Sequence, residues 1–419
     1  MMFKLKKLSK RYNIYILFCL TFSIALPQKL STIILILLLS ISILSFKKIK
    51  FNKDFLPLVI LYIVYVFFEI VNTPIDYSFF QKKASLIVLP FIFMVNNYNQ
   101  KDIKKALVYF VYGVIIACLI CYGNALISSI SFVNGFNFNS KLISVENNGF
   151  LESSMYGGNH FFGDNFSIFH QSIYFSLQIN IAAVILLFTD FFKAKYKYLL
   201  IVFFGLAIFQ ISNRVNILIY IFIIVSTVSY IRNKKIKLIT TLLVVALTSI
   251  FVLGNSRTKE VLKKIETFEY VLDRESEDSF GTRLLVWDAS LEVIKNNPFL
   301  GVGVSNSYHA LKKVYKEKRY VIPFRNRLNS HNQYFQIFIE CGILGILVFL
   351  LIQVKLLSSN NKFKLLNIYV FLIFNLNFFF ESVFNRYSGL ICFVILYCCL
   401  LSLKDKKQVK RRKILFLSR

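Results

Sequence analysis

Apolar runs of about 15–20 residues recur along most of the chain and are separated by short polar, mostly basic segments. A helix needs roughly 17–25 mostly apolar residues to cross a bilayer. The pattern therefore predicts an all-α polytopic membrane protein with about twelve transmembrane helices. The runs lie near 13–28, 30–46, 55–71, 83–96, 106–127, 168–189, 198–212, 215–230, 238–253, 333–354, 365–380 and 387–403.

Two features of the pattern predict local geometry. The fourth run is short and contains Pro90, which predicts a kinked helix. Only Ser212, Asn213 and Arg214 separate the seventh run from the eighth, which predicts a tight helical hairpin.

The spacing of the runs divides the chain into four parts. We expect a transmembrane bundle of spans 1–9 over 1–253, with an external loop at 128–167, and a long external segment with amphipathic helices over 254–332. Spans 10–12 follow over 333–403, and 404–419 forms a basic tail.

Composition and charge support the membrane class and orient the chain. With 56% hydrophobic residues, 46 Phe and 17% charged residues, the chain is too apolar for a soluble or a disordered protein. The formal net charge is +29, and alternate connecting segments together carry +26 of it. By the positive-inside rule these segments, both termini included, are cytoplasmic, and 254–332 is external. Because the basic runs flank spans, anionic membrane lipids are the expected partner, and no nucleic acid is expected.

The densest polar stretch at a predicted membrane boundary begins the tenth span. Asn329 or Ser330 is expected to cap the helix, and His331 lies at its mouth. Asn332, Gln336 and Glu340 follow at intervals of four, so they share one helix face. A carboxylate at this depth is costly unless it faces a polar cavity, so these three are predicted to bind substrate. The alternative is a polar helix start with one buried Glu bonded to another helix.

The same stretch continues into Gly342 and Gly345, which are predicted to let a neighbouring helix approach closely.

An amphipathic helix is predicted upstream, beginning at Thr282 as N-cap and ending at Asn297-Pro298. Its apolar face is expected to carry Leu284, Trp287, Leu291 and Ile294, with the Trp at headgroup depth. Arg283 then lies near the membrane, where it contacts a lipid phosphate, a surface carboxylate or a substrate anion.

Arg214 lies in the tight turn between two spans that otherwise lack charge. Its guanidinium either extends to lipid headgroups or binds an anionic ligand through its planar fork, which suits pyrophosphate.

Weaker candidates remain. His170 and Tyr174 open the sixth span, where they are predicted to line the same cavity, although capping or packing is an equal alternative. Glu69 in the third span is expected to form a hydrogen bond to another helix. The acidic run at 273–278 is interpreted as a plain loop, so no metal site is expected.

These elements together resemble a known family. Arg283 and Trp287, the sequence Asn-Pro-Phe-Leu-Gly-Val-Gly at 297–303, and His331-Asn332 spaced nine residues before Gly342-x-x-Gly345 resemble the O-antigen ligase and polymerase family of bacterial membrane glycosyltransferases. The turn at Arg214 is similar to the family's Ser-Arg turn, with Asn213 inserted.

The resemblance implies a metal-independent transferase in the bacterial inner membrane, active at its periplasmic face and without a cofactor. It implies an undecaprenyl-pyrophosphate-linked glycan as donor and lipid A–core as acceptor. His331, Arg214 and Arg283 would then be catalytic, with the imidazole accepting a proton and the two guanidinium groups neutralising the pyrophosphate.

Three alternatives stay open at this point. Within the family, an O-antigen polymerase or an O-linked protein glycan ligase would have a similar sequence. A polytopic transporter has a similar span count, but it would show charges near the membrane midplane and internal repeats.

Overall fold

The computed structural model consists mainly of helices, most of them apolar. It describes these residues: 2–46, 49–72, 78–132, 135–142, 158–228, 273–358 and 363–403. The ninth predicted span (238–253), parts of the two external segments and the basic tail lie outside the described residues.

Within the described part, two helices combine the length and the apolar composition that crossing a membrane requires, Gln100–Ser129 and Gln333–Leu357. Eight further apolar helices have 10–17 residues. Helices of this composition are consistent with a membrane protein, and the count of twelve spans stays a prediction.

The chain divides into two units, which are described one at a time. The described helices of the first unit are α1 (Met2–Ser23), α2 (Gln28–Leu44), α3 (Leu56–Val71), α4 (Ser78–Lys83), α5 (Ser85–Asn96), the first half of α6 (Gln100–Ser129), α10 (Ser279–Asn296), α11 (Ser307–Glu317), α12 (Val321–Arg325), α13 (Gln333–Leu357), α14 (Lys364–Phe380) and α15 (Tyr387–Ser402).

The second unit contains the rest of α6 and a short two-stranded antiparallel sheet. The strands are β1 (Ile130–Ser131) and β2 (Asn137–Phe138), with Ile130 opposite Phe138. Three helices follow: α7 (Ser172–Phe188), α8 (Ala194–Ile211) and α9 (Arg214–Val228). Short 3-10 turns lie at Gly163–Asn165 in this unit and at Val383–Asn385 in the first.

The predicted hairpin between the seventh and eighth runs is confirmed. Helix α8 ends at Ile211, and Ser212 adopts the left-handed conformation (φ 55°). Asn213 then caps α9, because its Oδ1 accepts the backbone N–H of Asn216 at 3.1 Å. Arg214 is therefore the first residue of α9.

The fourth predicted span is built from two helices, α4 and α5, which meet at Ala84. Pro90 lies inside α5.

Helix α10 ends at Asn296, as the Asn-Pro pair predicted, but its start and its buried face differ from expectation. Asp278, not Thr282, caps the helix by accepting the N–H groups of Phe280 and Gly281 at 2.8 and 2.9 Å. The buried apolar face consists of Leu285, Val286, Ala289, Val293 and Ile294. Of the four residues predicted on the apolar face, Ile294 is buried against α11 and α13, Leu284 and Trp287 are half-buried, and Leu291 is exposed, so contact of this face with the membrane stays a prediction.

Helix α13 is interrupted at Gly342, where the backbone has φ 58° and ψ −159°. The loop Pro298–Gly303 fills the gap. Val302 N–H donates to the Ile339 carbonyl at 2.8 Å, Gly303 N–H to the Glu340 carbonyl at 3.1 Å, and Ile343 N–H to the Pro298 carbonyl at 2.9 Å. We call this arrangement the loop–helix junction.

Glycine is required on both sides of the loop–helix junction. A Cβ on Gly342 would lie 2.1 Å from the Phe299 carbonyl oxygen, and one on Gly301 (φ 63°) would lie 2.7 Å from the Ile339 carbonyl oxygen. The expectation that Gly342 admits a neighbouring helix was therefore wrong, because a loop approaches it instead. The nearest atoms to a Cβ on Gly345 belong to the preceding turn of its own helix.

Candidate active site

His331 and Glu381 form a side-chain pair at the point where α14 ends and α13 begins. The imidazole Nδ1 lies 3.1 Å from the Glu381 Oε2, with the two side chains 25% and 15% exposed. Among the residues that the structure describes, none hydrogen bonds to Nε2 of His331. One ring nitrogen is thus held by a carboxylate, and the other can accept a proton from a bound molecule.

The turn that carries His331 is fixed by hydrogen bonds. His331 has a left-handed backbone (φ 42°), and its N–H donates to the Asn329 Oδ1 at 2.9 Å. Ser330 Oγ lies 3.0 Å from Ser382 Oγ, which joins this turn to the end of α14. The predicted capping by Asn329 or Ser330 was wrong. Asn332 caps α13, because its Oδ1 accepts the N–H groups of Tyr334 and Phe335.

Trp287 brings α10 against this pair of turns. Its ring centroid lies 6.3 Å from that of Phe335 and 6.5 Å from that of Phe380. Phe335 is one helical turn after His331, and Phe380 immediately precedes Glu381. Trp287 therefore contacts protein on both sides of the candidate site.

Arg283, one turn before Trp287, belongs to the first turns of α10. Its Nη1 donates to the Ser279 carbonyl at 2.9 Å and to the Ser279 hydroxyl. Arg283 and His331 both belong to the first unit, and a shared role in one site stays a prediction.

The face of α13 below His331 is buried and internally bonded. Asn332 is 4% exposed, Gln336 1% and Glu340 1%. Gln336 Nε2 donates to the Glu340 Oε1 at 2.7 Å, and its Oε1 accepts the Ser330 hydroxyl at 2.8 Å. These contacts support the turn that carries His331, and direct binding of substrate by the three residues stays a prediction.

A buried lysine, which the sequence analysis did not single out, faces the same network. Lys83 Nζ donates to the Phe384 carbonyl at 2.9 Å and lies 4.0 Å from Glu340 Oε2. It also lies 4.8 Å from the centroid of the Tyr65 ring. In the sequence, the Lys82-Lys83 pair before a short apolar run resembles a solvated loop. The only signal that could have indicated burial of Lys83 is the shortness of the apolar run that follows it.

Glu69 is buried in α3 and binds the loop that follows the loop–helix junction. Its Oε2 accepts the N–H groups of Val304 and Ser305 at 2.8 and 3.1 Å, and its Oε1 accepts the Ser305 hydroxyl. The sequence predicted a bond from Glu69 to another helix, whereas these three bonds are to a loop.

Outside the predicted spans, Asp288 links α10 to α11 and α12. Its Oδ2 accepts hydrogen bonds from Lys318 and Tyr320, both at 2.7 Å. Partial burial alone would raise the pKa of Asp288, but these two hydrogen bonds and the positive charges of Lys318 and Lys295 together outweigh it and lower the pKa. Partial burial, reinforced by the bond to Asp288, raises the pKa of Tyr320 to about 12.

Three predicted site residues belong to the second unit. Arg214 is half-buried at the start of α9, while His170 and Tyr174 are 5% and 2% exposed at the start of α7. Asn216, two residues after Arg214, receives a hydrogen bond from Asn180 of α7 at 3.1 Å. A joint site of these residues with His331 stays a prediction.

Comparison with known families places several of these features in one segment. Residues 198–350 match the family model described as O-antigen ligase. The matched segment contains Arg214, Arg283, the loop–helix junction and His331, whereas Lys83 and Glu381 lie outside it. No curated protein matches the chain. Over residues 198–350 the chain is therefore similar to the O-antigen ligase family, and its apolar helices are consistent with a membrane protein.

Proposed function

We propose that this protein transfers a glycan from undecaprenyl pyrophosphate to a sugar hydroxyl of lipid A–core at the periplasmic face of the inner membrane. The observation that carries the proposal is the His331–Glu381 pair, which leaves Nε2 of the imidazole facing no protein partner among the described residues. A transferase that activates a hydroxyl needs such a base within reach of its acceptor.

The proposed reaction is a displacement at the anomeric carbon of the first sugar of the donor. The acceptor hydroxyl oxygen forms the new C–O bond while its proton passes to Nε2 of His331. The C–O bond to the pyrophosphate breaks, and its electron pair leaves with undecaprenyl pyrophosphate. The guanidinium groups of Arg214 and Arg283 stabilise the charge that develops on the leaving group, without a metal ion.

The electrostatics of α10 agree with a role for Arg283. The residue belongs to the first turns of a helix of 18 residues, where the peptide dipoles favour an anion. An Arg fork at this point can hold two phosphate oxygens at once.

Single-turnover transfer and donor binding in four variants test the proposal. The donor is extracted from membranes of cells that lack the gene, and undecaprenyl pyrophosphate serves as the binding probe. His331→Gln should bind the probe normally and transfer slowly. Arg214→Ala and Arg283→Ala should each raise the barrier by about 2–4 kcal/mol. Arg325→Ala, an exposed change in α12, is the matched control and should leave both quantities unchanged.

The acceptor decides between the members of the family. Offering the purified protein lipid A–core, a second lipid-linked glycan and a Ser-containing peptide should give product with lipid A–core, with and without EDTA. Product only with the lipid-linked glycan would indicate a polymerase, and product only with the peptide would indicate a protein ligase. Wild-type transfer by His331→Gln would contradict its role as the base.

A further inference from the structure

We propose that Glu381 is a positioning residue, which holds His331 in the tautomer that keeps Nε2 free to accept the acceptor's proton. The inference rests on the proposed function and extends it to a residue outside the segment matched by the family model.

The carboxylate of Glu381 is held at both oxygens. Its Oε2 faces His331 Nδ1 at 3.1 Å, while its Oε1 accepts the N–H of Ser382 at 3.1 Å. The residue caps the C-terminus of α14 in an extended conformation (φ −154°, ψ 147°), and its N–H donates to the Asn377 carbonyl at 2.9 Å. The carboxylate therefore has one orientation, set by its own backbone.

The position of the His331 imidazole is also fixed, by the backbone of the turn that carries it. A left-handed backbone in a residue other than glycine is strained and persists only when its surroundings impose it. Here Asn329 accepts the His331 N–H, and Asn332 Nδ2 donates to the Phe379 carbonyl at 3.2 Å. The distance between the ring and the carboxylate is thus fixed by backbone contacts at both ends, and not by two freely rotating side chains.

This geometry has a chemical consequence. An ionised carboxylate only accepts hydrogen bonds, so the proton of a neutral imidazole is stabilised on Nδ1, and Nε2 keeps its lone pair. When Nε2 takes the acceptor's proton, the adjacent carboxylate stabilises the resulting imidazolium. A neutral amide at the same position can instead donate to Nδ1, which places the proton on Nε2 and removes the base.

The experiment compares Glu381→Gln, His331→Gln and the double variant in single-turnover transfer. Glu381→Gln should bind undecaprenyl pyrophosphate as the wild type does and transfer about 10²–10⁴-fold more slowly. The double variant should be no slower than His331→Gln alone, because a residue that acts only through His331 has nothing left to orient. Glu381→Asp, which keeps the charge on a shorter side chain, should recover part of the rate. Glu292→Gln removes one partner of the salt bridge between Glu292 and Lys318. It is the control and should transfer normally.

A spectroscopic measurement reports the tautomer directly. The chain has four His, so ring-¹⁵N labelling gives few signals, and the His331→Gln spectrum identifies the signal in question. The wild type should show a protonated Nδ1 and an unprotonated Nε2, and Glu381→Gln should show the opposite or a mixture.

The outcomes separate this proposal from the proposed function. Slow His331→Gln with normal Glu381→Gln would overturn the positioning role alone, as would a double variant much slower than His331→Gln. Normal transfer by both single variants would overturn the proposed function and this inference together. Loss of probe binding in Glu381→Gln, with no rate recovery in Glu381→Asp, would show that Glu381 serves only the fold and would also overturn the inference.

Discussion

Replacing Gly342 by alanine perturbs the loop–helix junction at its tightest point. The backbone of Gly342 (φ 58°, ψ −159°) lies in a region that essentially only glycine occupies. The added Cβ would lie 2.1 Å from the Phe299 carbonyl oxygen, well below any observed contact. The loop Pro298–Gly303 must therefore move away from α13, or α13 must change its path.

The magnitude follows from the contacts that are lost. Three backbone hydrogen bonds join the loop to α13, and each contributes a net stability of about 0.5–1.5 kcal/mol. The conformational strain at an alanine in this region adds about 1–3 kcal/mol. We therefore expect Gly342→Ala to reduce the free energy of unfolding by roughly 3–7 kcal/mol.

Thermal unfolding in detergent, followed together with hydrogen–deuterium exchange, measures the effect. The apparent melting temperature of Gly342→Ala should fall clearly, and the amides of Val302, Gly303 and Ile343 should exchange faster. Gly123→Ala is the matched control, since nothing beyond the adjacent backbone of its own helix lies within 4 Å of a Cβ there and the site is inside α6. It should be neutral or stabilising by up to about 1 kcal/mol. Equal melting temperatures and equal exchange in the two variants would refute the reasoning.

Two further predictions concern orientation and pH. The first uses a background in which Cys19 is replaced by serine. There, Lys312→Cys should react with an impermeant thiol reagent in intact spheroplasts, and Lys105→Cys should react only after permeabilisation. The reverse pattern would reject the orientation that the positive-inside rule predicts. The lowered pKa of Asp288 means that its contribution to stability is present above the ordinary carboxyl pKa of about 4 and is lost as the pH falls through the lowered value. Asp288→Asn should therefore cost about 0.5–1 kcal/mol at pH 7, and its melting temperature should approach the wild type's near pH 3; a constant difference over this range would contradict the argument.

Local signals in the sequence predicted local structure well. The hairpin at Ser212–Arg214 and the end of α10 at Asn297-Pro298 were predicted correctly, because polar turn residues and proline act within a few residues of their position. The apolar face predicted for α10 shares only Ile294 with the face that packs against protein. Periodicity finds an apolar stripe, but the neighbours of the helix decide which edge of that stripe is covered.

The pairs that build the candidate site were not predictable in the same way. His331 was predicted from the polar residues around it at the start of a span. Its partner Glu381 lies 50 residues further on, at the end of another helix. Lys83 and the Phe384 carbonyl are 301 residues apart. Residue spacing within one helix carries no information about such partners, so they emerge only when the helices pack.

The bonds of Glu69 also have a consequence for how the chain is made. Its three donors belong to Val304 and Ser305, more than 230 residues later in the chain. At a synthesis rate of about 5–20 residues per second, a ribosome needs roughly 12–47 s to reach them after α3 has emerged. During that interval α3 enters the bilayer with its carboxylate lacking these partners, at a cost below the roughly 2.5–3.5 kcal/mol of a charge at the helix centre, because Glu69 lies in the last turn of α3. The apolar residues of α3 (Leu56–Val71) keep the helix in the bilayer during that interval. The hydrophobicity of α3 is therefore needed for membrane insertion before it is needed for packing.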